Sequence, residues 1–108
     1  MINLNWDRNF ALEQAGDQEE ILKELLVLFR DSSLSDCAKI KDGIKARDAK
    51  AVADAAHSIK GAAASLGIES IRLVSHEIEM AGRNQDIDAA GRYAEELEQL
   101  LELATDLR

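Results

Sequence analysis

Residues 57–67, with the sequence HSIKGAAASLG, decide the fold and carry one of the two histidines of this 108-residue chain. From residue 52 to residue 66, apolar residues recur at alternating intervals of four and three, which places their side chains on one face of an α-helix. They are Val52, Ala56, Ile59, Ala63 and Leu66. At about 100° per residue, His57, Lys60 and Gly61 share a second face beside this stripe. We therefore predict a helix that buries the stripe and keeps the His57 face partly in water.

Gly61 is unusual in this predicted helix, because a mid-helix glycine costs about 1 kcal/mol relative to alanine. Three alanines follow it, so a simple need for a small side chain would have been met by alanine. Residues four apart on a helix touch, which places position 61 against the imidazole of His57. A glycine there leaves one ring nitrogen open to an incoming group.

Lys60 adds a positive charge three residues after His57. Its ammonium can donate charge-assisted hydrogen bonds to a phosphoryl group bound to the ring, and the site favours an anionic guest electrostatically. A lone histidine on a helix edge is more often only solvated, and small residues such as those at 61–65 more often serve close helix packing. A non-catalytic helical-bundle adaptor or interaction protein is therefore the alternative.

These residues resemble the signature of the histidine phosphotransfer (HPt) domain family, which includes His57, Lys60 and Gly61, then Leu66-Gly67. The resemblance extends over residues 7–105. An apolar segment with a phenylalanine, residues 25–29, precedes the His57 helix, and an apolar ladder ending in Glu, Arg and Asp follows it. The ladder residues are Ile71, Val74, Ile78, Glu79, Arg83 and Asp86. Ala62 and Ser75 depart from the family pattern, which bears on fine tuning of the site and its partner.

The resemblance implies a phosphorelay intermediate. A neutral nitrogen of His57 would take a phosphoryl group from the phospho-aspartate of a receiver domain and later pass it to another receiver. Lys60 would stabilise the phosphoryl group, and Gly61 would give access to the imidazole. The implied partners are response-regulator receiver domains, a hybrid histidine kinase, or both. The receiver would bring its own metal ion, so we expect a phosphoryl carrier with no cofactor, no metal and no kinase activity of its own.

Length and composition fit one compact domain, which we assign to residues 1–108. The chain lacks proline, which favours an all-helical protein. Its net charge of −8 argues against a nucleic-acid partner.

Cys37 lies on a helical apolar stripe and is predicted to be a buried small hydrophobe. Residues 1–6 lack the pattern of a secretion signal, and the longest apolar run, residues 25–29, is far shorter than a membrane span. We expect a soluble, cytoplasmic monomer with no membrane insertion.

The predicted architecture is all-α: an antiparallel four-helix bundle with a short extra N-terminal helix. Asn5 is expected to cap the short helix and Gly16 to end it. Asp17 is expected to cap a long helix whose apolar stripe reaches Ile44. Polar side chains at residues 31–36 can instead divert backbone hydrogen bonds and start a new helix. We favour one continuous helix.

Further caps delimit the remaining helices. We expect Asp48 to open the His57 helix and Gly67 to close it. A fourth helix is predicted over residues 69–83, and Asp86 is expected to cap the fifth. His76 falls on the polar side of the fourth helix and is predicted to lie on the surface.

A bundle metalloenzyme built from carboxylates and histidines is a further alternative. It requires Glu-x-x-His pairs on two helices. The chain offers only Asp54, three residues before His57, whereas Leu73 stands three residues before His76. We therefore consider a bundle metalloenzyme the least favoured of the three hypotheses.

Overall fold

A computed structural model describes residues 3–108, so the first two residues of the predicted domain lie outside the described range. Within that range the regular elements are five α-helices, which confirms the all-α prediction. They are α1 (Arg8–Gln14), α2 (Glu19–Lys45), α3 (Ala49–Ser65), α4 (Glu69–Arg83) and α5 (Ile87–Ala104). None of the helices in residues 3–108 is long and apolar enough to cross a bilayer.

The four long helices form a bundle, in which α3 packs against α2 and α4, and α5 packs against the same two neighbours. Three residues connect each long helix to the next, at 46–48, 66–68 and 84–86. Such short connections make consecutive helices antiparallel. The middle residue of each connection has a positive φ, 53° at Arg47, 67° at Gly67 and 58° at Gln85. This left-handed residue turns the chain back on itself.

Helix α2 is continuous, as favoured from the sequence. Its polar segment does not break it, and the hydroxyl of Ser32 donates a hydrogen bond to the carbonyl of Phe29 in the preceding turn of the same helix. Ser33 points into the core and is almost fully buried. Cys37 is buried as well, which confirms its predicted place on the apolar stripe.

Side-chain caps are confirmed at two of the predicted positions. The carboxylate of Asp48 accepts from the backbone N–H of Ala51, and that of Asp86 accepts from Ala89, so both satisfy donors in the first helical turn. The cap of α3 fixes the start of the helix that carries His57.

Two predicted caps were wrong. Asp7, not Asn5, caps α1, and its carboxylate accepts from the N–H of Phe10. Gln18, not Asp17, precedes α2, and it makes no side-chain cap. Asn5 and Asp17 instead adopt positive φ values of 48° and 61°. Asn and Asp tolerate the left-handed conformation, so the same residue types serve caps and reversals.

The N-terminal segment covers the end of α3. The indole N–H of Trp6 donates to the carbonyl of Leu66 at 3.0 Å, and the N–H of Asp7 donates to the carbonyl of Gly67 at 2.9 Å. The first bond satisfies the carbonyl of the C-cap residue of α3, and the second joins the N-terminal segment to the connection that follows it. The segment that precedes the short helix therefore holds the C-terminal end of the His57 helix in position.

Two glycines bring the start of α3 close to its neighbours. A Cβ added at Gly43 would lie 2.9 Å from Cγ2 of Val52, and one added at Gly82 would lie 2.9 Å from the carbonyl oxygen of Ala49. Contacts this short leave no room for a methyl group without movement of the neighbour. The start of α3 is thus held between α2 and α4, one to two turns before His57.

Candidate functional site

His57 lies in the middle of α3, on the face predicted from the sequence. The stripe residues Val52, Ala56 and Ile59 are fully buried, and the rest of the stripe is buried with them. The side chain of His57 is 63% exposed. The buried stripe therefore fixes the backbone beneath an imidazole that remains open to solvent.

The partner of this imidazole is Glu79 on α4. Its side chain is only 6% exposed, and one of its oxygens, Oε2, lies 2.9 Å from Nδ1 of His57. The same oxygen lies 3.0 Å from Nη2 of Arg83. The other oxygen, Oε1, lies 2.5 Å from Nζ of Lys60. One buried carboxylate thus joins three basic side chains from two helices.

These contacts decide the ionisation of Glu79. Burial raises the pKa of the carboxyl, but the ion pair with Lys60 and the hydrogen bonds from Arg83 and His57 outweigh it and lower the pKa to about 2. The group is therefore a carboxylate at neutral pH and can only accept hydrogen bonds.

An ionised Glu79 fixes the tautomer of a neutral His57. Because the carboxylate only accepts, Nδ1 must carry the proton in the 2.9 Å contact. The lone pair of the neutral ring is then on Nε2. The bond to Glu79 also orients the ring, as a carboxylate does for the histidine of a catalytic triad. The arrangement presents an oriented nucleophilic nitrogen on an exposed side chain.

Lys60 and Gly61 lie on the same face of α3 as His57. The side chain of Lys60 is only 26% exposed, and its ammonium pairs with Glu79, a partner that the sequence did not predict. At Gly61 an added Cβ would meet no atom within 4 Å. The glycine therefore does not serve packing inside the domain, and the surface beside His57 is open.

Glu79 and Arg83 were not singled out as site residues from the sequence, where they appeared only as members of the apolar ladder. The sequence does contain a signal for Glu79, in its spacing along α4. It lies four residues after Ser75 and eight after Ile71, both fully buried, so it continues a buried row of α4. A glutamate in such a row requires cationic partners, and Arg83, one turn later, is one of them.

The alternative metal site does not assemble. Asp54 pairs with Lys50 at 2.6 Å, and His76 is exposed on α4, as predicted. Within residues 3–108, no three His, Cys, Asp or Glu side chains come together in an arrangement suited to a metal ion.

The fold and the site together define a helical bundle that presents one oriented histidine. The sequence profile of the Hpt domain matches residues 24–106, so the chain belongs to the Hpt domain family. This confirms the family resemblance.

Two known proteins are similar to this chain. The phosphorelay intermediate protein rdeA of Dictyostelium discoideum is 26% identical over 97 residues, covering 90% of this chain. The chain spans only 38% of the length of that protein. The crystal structure of histidine-containing phosphotransfer protein B (HptB) from Pseudomonas aeruginosa PAO1 has a TM-score of 0.86 at 22% identity, covering 93% of this chain and 87% of that one. The bundle fold is therefore shared with HptB.

Proposed function

We propose that this domain is a phosphorelay intermediate that carries a phosphoryl group on Nε2 of His57. The observation that carries the proposal is the contact between Nδ1 of His57 and the buried carboxylate of Glu79, 2.9 Å apart. It leaves the exposed ring with its lone pair on Nε2, the state that a nucleophile requires. The phosphoryl group comes from the phospho-aspartate of a receiver domain and passes on to the aspartate of another.

The transfer step needs no proton to leave the site. The lone pair of Nε2 forms the new N–P bond, while the P–O bond to the donor aspartate breaks and its electron pair stays on the aspartate carboxylate. The ring becomes an imidazolium that still carries its proton on Nδ1. Glu79 balances this charge through the existing hydrogen bond. Return transfer reverses the same bonds, so the site can both accept and donate.

Lys60 and Gly61 complete the proposed site. The ammonium of Lys60 contacts the same carboxylate as the imidazole, and its flexible side chain would carry it to the phosphoryl oxygens on Nε2. The open space at Gly61 admits the receiver, whose aspartate must approach the ring in line. The proposed partners are receiver domains, either free or within a hybrid histidine kinase.

A transfer assay tests the proposal, with a panel of receiver domains phosphorylated by acetyl phosphate as donors. The informative variant is His57→Gln, and the matched control is His76→Gln, which removes the other, exposed histidine. We expect wild type and His76→Gln to gain acid-labile phosphate, and His57→Gln to gain none while folding normally. Phosphate on His57→Gln would refute the assignment. If the wild-type domain binds receivers but accepts phosphate from none, the adaptor alternative is favoured.

A further inference from the structure

The two cations on Glu79 occupy different positions. Arg83, from α4, shares oxygen Oε2 with the imidazole of His57, at 3.0 Å. Lys60, from α3, lies alone on oxygen Oε1, at 2.5 Å. Before phosphorylation the lysine is therefore engaged by the carboxylate, although the proposed function requires it at the phosphoryl group.

We propose that Arg83 is a positioning residue that frees Lys60 for the phosphoryl group. When a phosphoryl group is present on Nε2 of His57, the ammonium of Lys60 moves from Oε1 of Glu79 to the phosphoryl oxygens. Arg83 stays on Oε2, so Glu79 keeps a cationic partner and its hydrogen bond to Nδ1. This inference rests on the proposed function and assigns a role within the same site.

The burial of Glu79 makes its cationic partners necessary. A carboxylate that is 6% exposed is strongly destabilised if its cationic partner departs. Phosphorylation makes the ring of His57 an imidazolium, but this charge is shared with the phosphoryl group on Nε2. Without Arg83, the imidazolium would be the single cation left on Glu79 once Lys60 departs, so the carboxylate would hold Lys60 more strongly. With Arg83 in place, both Arg83 and the imidazolium remain at Glu79, and Lys60 is available to an incoming dianion.

The two side chains suit these separate tasks. Lysine carries its charge on a flexible stem with three donors, so it can exchange between oxygen acceptors nearby. Arginine has a planar group with a fixed fork of donors, and Arg83 lies one helical turn from Glu79, where such pairs form readily. Asp54, the one acidic residue of α3, is already paired with Lys50 at 2.6 Å.

The test compares Arg83→Gln with Arg72→Gln, a control on the same helix that removes an arginine paired only with Glu69. The Lys60 ammonium is followed by NMR before and after phosphorylation, and its resonance is identified by its loss in Lys60→Ala. In wild type and Arg72→Gln we expect this resonance to shift on phosphorylation. In Arg83→Gln we expect a smaller shift and a maximal transfer rate lower by about two- to fivefold, with KM unchanged. Arg83→Lys should restore both.

Three results with Arg83→Gln would overturn the inference. One is a full Lys60 shift in Arg83→Gln, another is an unchanged transfer rate, and the third is an increase in KM alone, which would make Arg83 a docking residue. The failure of the inference is distinguishable from that of the proposed function. If wild type is phosphorylated on His57 while the Lys60 resonance does not move, only the role proposed for Arg83 and Lys60 is refuted. If His57 is never phosphorylated, the proposed function itself is refuted.

Discussion

Nδ1 of His57 on α3 lies 2.9 Å from Oε2 of Glu79 on α4, and the two side chains differ tenfold in exposure, 63% against 6%. The exposed partner is the proposed nucleophile, and the buried partner sets its tautomer. Glu79 is held by packing and by two further cations, so it can orient the imidazole without blocking its outer face. The imidazole of His57 is thus oriented by a contact on its buried side.

The first prediction concerns Glu79→Gln. The amide keeps the shape of the side chain but can donate or accept at Nδ1, so it no longer fixes the tautomer of His57. We expect the ¹⁵N resonances of the ring to show a lower fraction of the Nδ1-protonated form. The transfer rate should fall by about 10- to 100-fold, the range known for the loss of a group that orients a metal-binding histidine. The free energy of unfolding should fall by about 1–3 kcal/mol, because Lys60 and Arg83 lose a charged acceptor and share one neutral amide oxygen.

Glu77→Gln is the matched control for this variant. Glu77 lies two residues earlier on the same helix and is exposed. The change of charge is the same, yet we expect neither the tautomer nor the transfer rate to change. A Glu79→Gln protein with the wild-type transfer rate would show that the orientation of the ring does not limit the reaction.

The second prediction concerns acid. The pKa of Glu79 is about 2 in the folded protein against an ordinary value of 4.5, so folding favours the ionised form. Its contribution to stability is therefore complete above pH 4.5 and is lost as the pH falls toward 2. Each unit of lowering corresponds to about 1.4 kcal/mol. Because His57 and Arg83 are 63% and 51% exposed, solvent screening reduces this, and we expect about 1–2 kcal/mol in total.

Urea unfolding of wild type and Glu79→Gln between pH 2 and pH 7 measures this contribution. The difference in the free energy of unfolding should be constant near neutral pH and should shrink below pH 4.5. Other carboxylates titrate in both proteins and cancel in the difference. A difference that does not change with pH would contradict a contribution from the charge of Glu79.

Local patterns in the sequence predicted the helices well, because helix periodicity and caps depend on neighbours along the chain. Asp48 and Asp86 were identified as caps correctly, since each precedes a strongly periodic segment. Asn5 and Asp17 were misassigned because their residue types also favour left-handed turns, and the choice depends on the path of the chain.

The site was only half predicted from the sequence, for a different reason. His57, Lys60 and Gly61 lie within one helix, and their relation follows from helical spacing. Glu79 belongs to another helix, so its contacts with His57 and Lys60 depend on the rotation of α4 against α3. That rotation is set by side-chain packing and by the close approach at Gly82, neither of which a helical spacing encodes.

The last prediction concerns Gly61, which the structure separates from the packing glycines of the bundle. A Cβ at Gly61 meets no atom within 4 Å, whereas one at Gly82 would lie 2.9 Å from the carbonyl oxygen of Ala49. Gly61→Ala should therefore stabilise the domain by up to about 1 kcal/mol through helix propensity. Gly82→Ala should destabilise it by about 1–3 kcal/mol through overpacking. Thermal melts measure both changes.

Replacing Gly61 should lower the transfer rate even where it raises stability, if the glycine keeps the ring of His57 open to a receiver. Gly61→Gln places a long side chain one turn from the imidazole and should block transfer, although the free domain has room for it. Gly91→Ala is the control, because Gly91 is also a helical glycine with no atom within 4 Å of an added Cβ, but it lies on α5. It should gain stability and transfer at the wild-type rate. Wild-type transfer by Gly61→Gln would refute the access role and leave His57 and Lys60 alone to carry the motif.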